Sequence, residues 1–172
     1  MKKLFLILTI IILASCTNTQ LNKVDISESK KAINSLLNDW HKAAATANYD
    51  EYFSKMDSVS IFIGTDATEN WSKKAFEDFS KPYFDKGKAW SFVAAERNIY
   101  VNEAGDFAWF DELLNTWMGA CRGSGVLEKK AGEWKIKHYV LSVTVPNDDI
   151  QKLLKIKFKK DSIYLKKLMT KL

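Results

Sequence analysis

Asp111 and Glu112 stand side by side in an apolar run, Phe107-Ala108-Trp109-Phe110-Asp111-Glu112-Leu113-Leu114. A carboxylate held among aromatic walls has its pKa raised by desolvation and can serve as a general base. In a strand, neighbouring residues point to opposite faces, so at most one of the pair readily enters a pocket. Asp111 shares its face with Trp109 and Leu113, Glu112 with Phe110 and Leu114. His138 falls on the face of Trp134, Ile136 and Val140, where it would be the acid–base partner titrating in the useful range. Arg122 offers a fork for a ligand carboxylate, or a partner for Asp111 or Glu112. Each of these residues also has a purely structural reading, as an ion pair inside a sheet or a histidine bonded to a neighbouring carbonyl or carboxylate. Asp66, in a loop after the first strand, either reaches the mouth of a pocket or forms the turn. Trp40 and Trp109 either line an apolar ligand cavity or fill the core.

Other chemistries lack their residues. The only histidines, His41 and His138, sit on separate elements, and no clustered Cys/His spacing exists, so no metal site is expected. His41, beside Trp40 on the first helix, is read as exposed or at the pocket rim. There is no Gly-x-Ser-x-Gly and no phosphate-binding glycine loop, and no cofactor is implied. Cys121 lies in an apolar strand and reads as a small buried hydrophobe.

The elements that must hold these side chains follow from periodicity. Asp25 with Glu28 resembles a helix capping box, and Ile33, Leu36, Leu37, Trp40, Ala44 and Ala47 recur on one helical face. Tyr49, Tyr52 and Phe53 continue into a helical turn. Val59 to Ile63 is a short strand ended by Gly64-Thr65-Asp66. Ser72 caps a second helix carrying Phe76 and Phe79, interrupted by Pro82 and closed by Gly87. Four strands follow: Trp90–Val101, Phe107–Trp117, Cys121–Glu128 and Glu133–Val145, joined by polar or glycine turns. Gly123 and Gly125 share a face with Cys121 and mark a bend, or a close approach by another group. Helices segregated to one face of a meander make an α+β fold. In the last strand Trp134, Ile136 and Val140 oppose Tyr139, Leu141 and Val143, so both faces of the sheet are apolar and both need cover. The helices cover one face; a second copy of the chain is the simplest cover for the other, which predicts a homodimer.

Met1-Lys2-Lys3 precedes an apolar run from Leu4 to Leu13, then Ala14-Ser15-Cys16. This is the pattern of a secretory signal peptide, and the run is too short to span a bilayer as a retained helix. Leu13-Ala14-Ser15-Cys16 resembles a bacterial lipobox. That resemblance implies removal of residues 1–15, a lipid on Cys16 that anchors the protein to a membrane, and a place in the cell envelope, periplasmic or surface-facing. Thr17 after that cysteine carries no acidic retention signal and favours the outer membrane. Residues 16–24 are a polar tether. The formal charge of +5 belongs to the tail: residues 148–172 hold eight lysines against three aspartates, while residues 16–147 hold 16 basic and 18 acidic groups. A body without a basic stripe excludes a nucleic-acid binder. Apolar residues make up 47% of the chain, which excludes disorder and suits one domain over 25–147. Asn147-Asp148-Asp149 caps a final helix, with Ile150, Leu153, Leu154 and Phe158 on one side and lysines around the rest. Such a basic amphipathic tail either packs on the domain or meets a membrane surface or partner.

This layout, with Phe62-Ile63-Gly64-Thr65-Asp66, Glu69 and Trp71, then Ala108-Trp109-Phe110-Asp111-Glu112, Arg122-Gly123-Ser124-Gly125-Val126-Leu127, Gly132-Glu133-Trp134-Lys135-Ile136, Ser142 and Val145-Pro146-Asn147, resembles the SnoaL-like branch of the nuclear transport factor 2-like (NTF2-like) superfamily. The resemblance implies a cone: N-terminal helices wrapped by a strongly curved, mostly antiparallel sheet, a pocket at the open end and dimers through the convex sheet face. Within such a fold, function belongs to the site and not to the architecture. Three readings follow. The chain is a lipid-anchored, non-catalytic binding module for a small apolar ligand or a partner protein. Alternatively, it is a proton-transfer enzyme (isomerase, dehydratase or hydrolase) using a pocket carboxylate and histidine. Or it is an envelope scaffold with no open pocket.

Overall fold

A computed structural model describes residues 25–171. The expected signal peptide, Cys16 and the expected tether over 16–24 lie outside the described residues. Helix α1 (Ile26–Ala45) starts where Asp25 accepts a hydrogen bond from the Glu28 backbone N–H at 3.0 Å, as the capping pattern predicts. Its buried stripe is Ile33, Leu37, Trp40 and Ala44. Helix α2 (Tyr49–Ser54) follows, then strand β1 (Met56–Ile63). A three-residue strand β2 (Asn70–Ser72), which the sequence reading lacks, folds back on β1. Ser72 then caps α3 (Lys73–Asp85) through the Ala75 N–H at 3.3 Å. Pro82 does not interrupt α3. It sits in the last turn, where one missing N–H leaves most of the helix ladder intact.

The remaining strands are β3 (Val93–Val101), β4 (Phe107–Thr116), β5 (Gly119–Lys130) and β6 (Glu133–Val143). They form an antiparallel meander, and β1 adds to β6 in parallel, giving the order β2-β1-β6-β5-β4-β3. The fold is thus α+β, with a mixed six-stranded sheet over the helices. The concave face packs on α1 and α3 around Trp40, Tyr52, Phe62, Phe76, Phe110, Leu114, Leu127, Ile136 and Tyr139, all buried. Each such side chain contributes about 1.5–3 kcal/mol.

One residue reverses the parity of β6. Val126 pairs with His138 but Leu127 pairs with Ile136, so Lys137 is an extra residue, a β-bulge. Before the bulge Trp134 and Ile136 point inward; after it Tyr139 and Leu141 do. The single alternation read from sequence therefore breaks, and His138 and Val140 turn to the convex face. The bulge residue reaches Asp57 in an irregular stretch of β1. Buried Asp57 accepts from the Val59 N–H (3.0 Å), Lys130 (2.9 Å) and Lys137 (3.3 Å).

Helix α4 (Ile150–Met169) follows a 3₁₀ turn at Asn147–Asp149 and buries none of its residues. Asp149 makes no side-chain cap; it pairs with Lys152 at 2.8 Å instead. Leu153, Asp161 and Tyr164 are half-buried, and α4 borders the β1–β2 loop across a groove.

Candidate functional site

Of the two adjacent carboxylates, β4 sends Glu112 inward and Asp111 outward. Glu112 is 0% exposed. Its Oε1 accepts from Tyr139 Oη at 3.1 Å and lies 2.8 Å from His41 Nε2; its Oε2 accepts from Arg97 Nε at 2.8 Å and lies 2.8 Å from Arg97 Nη2. The cluster joins four elements, because His41 comes from α1, Arg97 from β3 and Tyr139 from β6. Arg97 Nη1 continues to α1, donating to Asn34 Oδ1 (2.8 Å) and Asn38 Oδ1 (2.7 Å). Burial is the largest single influence on Glu112 and pushes its pKa up. The hydrogen bond and charge of His41, then those of Arg97, together outweigh it and hold the carboxyl below its ordinary value. Burial, then the Glu112 charge, pushes the Tyr139 hydroxyl well above the ordinary tyrosine range.

The two glycines of β5 make room for this cluster. A Cβ at Gly123 would collide with Tyr139 Oη and lie 3.0 Å from Glu112 Cγ; one at Gly125 would lie 2.6 Å from the Phe110 ring and from the His138 carbonyl oxygen. Close approach is the observed reason for glycine at both positions.

His41, read from sequence as exposed or at a pocket rim, is 6% exposed, and one edge of it and of Arg97 borders a surface groove of about 300 Å³ beside Asn38 and Ser91. His138 is not its counterpart, since the bulge at Lys137 carries it to the opposite face of the sheet. Arg97 and Tyr139 were not among the candidates read from sequence. An arginine centred in the apolar strand Val93–Val101 was the available signal for the first.

The convex face holds three further candidates. Arg122 Nη1 lies 3.5 Å from Asp111 Oδ1, and Asn98 donates to the same oxygen at 3.2 Å, so these two charges pair with each other outside the cone. Trp109 is 46% exposed and stacks on Tyr100 with ring centroids 5.7 Å apart. Neither Arg122 nor Trp109 meets the pocket. Trp40 is core, stacked on Tyr52 at 4.9 Å and edge-on to Tyr139 at 4.8 Å.

The open cavity lies at the mouth of the cone. It holds about 140 Å³ and is lined by Phe62, Trp71, Phe76, Phe79, Trp90, Phe92, Trp117, Met118 and Leu141, with Gly64, Thr65 and Glu69 at its polar edge. Phe62, Trp90 and Phe92 also bound the ring-packed space against Trp40, His41 and Tyr139, which has no room for a water molecule. The mouth and the Glu112 cluster are therefore separated by packed rings. Asp66 belongs to the loop and not to this cavity: it accepts from the Thr68 N–H (2.9 Å) and hydroxyl (2.6 Å) and faces the groove toward Lys157 and Lys160 of α4. Among the described residues, no group of three or more His, Cys, Asp or Glu is placed to hold a metal.

A family model of the SnoaL-like domain matches residues 33–146. The chain belongs to the SnoaL-like domain family. No curated protein matches it. Solved structures share the fold at low identity. An NTF2-like protein of unknown function from Pseudomonas putida KT2440 is 13% identical, with a TM-score of 0.60 over 71% of this chain and 91% of that one. A cystatin-like domain of unknown function from Nostoc punctiforme is 15% identical, with a TM-score of 0.61 over 86% and 98%. The association domain of C. elegans CaMKII is 18% identical, with a TM-score of 0.56 over 68% and 97%. The expected cone, with a mouth pocket and a curved sheet, is the fold of this SnoaL-like chain.

Proposed function

We propose that this SnoaL-like chain is a non-catalytic binding module that takes a small, largely apolar molecule at the mouth of its cone. The observation that carries this reading is the division of the interior. The open cavity is walled by aromatic and aliphatic side chains, as ligand sites are. Among the described residues, the one carboxylate–histidine pair is separated from this cavity by packed rings, with both carboxylate oxygens already engaged. A general base must come within reach of substrate, and Glu112 is fully buried with hydrogen bonds on both oxygens. The proton-transfer reading loses its pocket carboxylate and histidine on this account.

Two further parts belong to the proposal. The convex row that runs from the exposed Tyr100 and Trp109 through the half-buried Val126, His138 and Ile61 supports a homodimer across that face. The signal and lipobox pattern at residues 1–16 supports a lipid-anchored envelope location, outer membrane preferred.

Native mass spectrometry of the protein purified from its host tests the first two parts together. A dimer carrying a small guest is expected, and Phe79→Glu at the cavity wall should release the guest without dissociating the dimer. A protein that carries no guest and gives no saturable response to toluene would refute the binding reading. A monomer would refute the convex interface.

A further inference from the structure

The mouth cavity has an unusual electrostatic composition. Seven of its twelve lining residues are aromatic, three of them tryptophan, and Glu69 supplies the only formal charge. No lysine or arginine lines it, in a chain that carries 26 basic residues. Aromatic faces carry negative potential, and a carboxylate beside them adds to it. A neutral apolar guest would gain nothing from the carboxylate, and an anion would be repelled by it. A compact cation with an apolar skin satisfies both kinds of wall.

Two side chains give this a geometric basis. Trp117, at the tip of the β4–β5 hairpin, is 81% exposed and stacks on no other ring of the wall, so its faces are free. A large exposed indole at a pocket mouth is costly to solubility and calls for a role. On the other side, Glu69 lies in the Gly64–Asn70 loop, where its Oε2 accepts from the Asp66 N–H at 3.1 Å, fixing the carboxylate against Gly64. The two loops meet where Thr65 Oγ1 approaches Met118 Sδ at 4.0 Å. The basic groups of α4 that come near this loop, Lys157 and Lys160, line the groove on its outer side, which Asp66 and Glu69 also border, and not the cavity.

We propose that the mouth cavity binds a small organic cation of the quaternary ammonium class, with Trp117 and the wall rings contacting its methyl groups and Glu69 balancing its charge. This rests on the binding-module reading and adds the charge of the ligand. The volume of about 140 Å³ accommodates a trimethylammonium head.

The test compares choline with 3,3-dimethylbutan-1-ol, its uncharged isostere, by tryptophan fluorescence and calorimetric titration of the full chain. Choline should bind about tenfold tighter, the size of a partly desolvated cation–π and ion-pair contribution. Glu69→Gln keeps an acceptor for the Asp66 N–H and should weaken choline about fivefold while leaving the alcohol unchanged. Trp117→Ala, at an exposed position, should weaken choline by about tenfold without changing the melting temperature. Equal or tighter binding of the alcohol would overturn the cation inference and leave the apolar binding module standing. Saturable binding of neither molecule at tens of millimolar would overturn both. A preference for choline that survives Glu69→Gln and Trp117→Ala would overturn the assignment to these residues.

Discussion

Replacing Glu112 by glutamine should be among the most damaging isosteric changes available in this domain. The carboxylate serves His41 and Tyr139 on one oxygen and Arg97 on the other. An amide presents one acceptor and one donor. Turned one way, its NH₂ meets the Arg97 guanidinium, which only donates; turned the other, it makes His41 and Tyr139 reverse from donating to accepting. Arg97, whose side chain is 6% exposed, also loses its counter-charge. Removing one partner of a buried ion pair costs about 3–5 kcal/mol. The acceptor that remains recovers about 1 kcal/mol, so a net loss of about 3 kcal/mol is expected. For a domain of this size that lowers Tm by about 10 °C. Urea unfolding at pH 7, followed by tryptophan fluorescence, measures the loss directly. A cycle with Arg97→Met should show a coupling of at least about 1.5 kcal/mol, because the double variant leaves no unpaired charge. Tyr139→Phe removes only the 3.1 Å bond and should cost about 1–2 kcal/mol, which keeps the reasoning testable if the glutamine variant does not fold. A Glu112→Gln protein as stable as the parent, or more so, would refute the structural role. It would return Glu112 to the list of catalytic candidates, since functional carboxylates are commonly kept at a cost to stability.

Three other outcomes are expected. Glu112 and Asp57 both titrate below their ordinary values in the folded protein. For Asp57 the Val59 N–H bond is the largest cause, then burial opposes, and Lys130 and Lys137 carry the carboxyl from 3.8 down to about 2. Groups with depressed folded pKa values stabilise above their unfolded pKa, so the urea midpoint should be flat from neutral pH to about 5 and fall as pH drops through 4.5 toward 2; a midpoint that rises on acidification would contradict these pairings. Gly125→Ala should lose about 1–3 kcal/mol, because the new Cβ lies 2.6 Å from a backbone oxygen of β6 that cannot rotate away; a neutral effect in urea unfolding would mean that the strands are further apart. Truncation after Pro146 should change Tm by no more than about 2 °C, because α4 buries none of its residues; a large drop in a thermal melt would show that the helix packs on the domain in solution.

Local patterns reached far into this fold. The capping side chains of Asp25 and Ser72 and the four-strand meander follow from signals a few residues long, and the structure contains them. The opposition of Asp111 and Glu112 is likewise a property of any strand, and it holds. Sequence could not say which of the two was inside, because both of their faces carry apolar neighbours. The structure decides it by where α1 lies.

The candidate site was legible only in fragments. His138 was placed inward by continuing one alternation through β6, and a single inserted residue, Lys137, undid it. The bulge side chain reaches Asp57, 80 positions away, and no window along the strand contains that partner. His41 and Glu112 are 71 positions apart, and Arg97 joins them from a third element. The residues themselves determined most of the helices and strands, the opposition of neighbours along β4 and the basic tail, because those depend on periodicity and composition. Only the tertiary structure decided that the carboxylate's histidine is His41 and that packed rings separate this pair from the mouth cavity, because both depend on how α1 and a bulged β6 meet across the concave face.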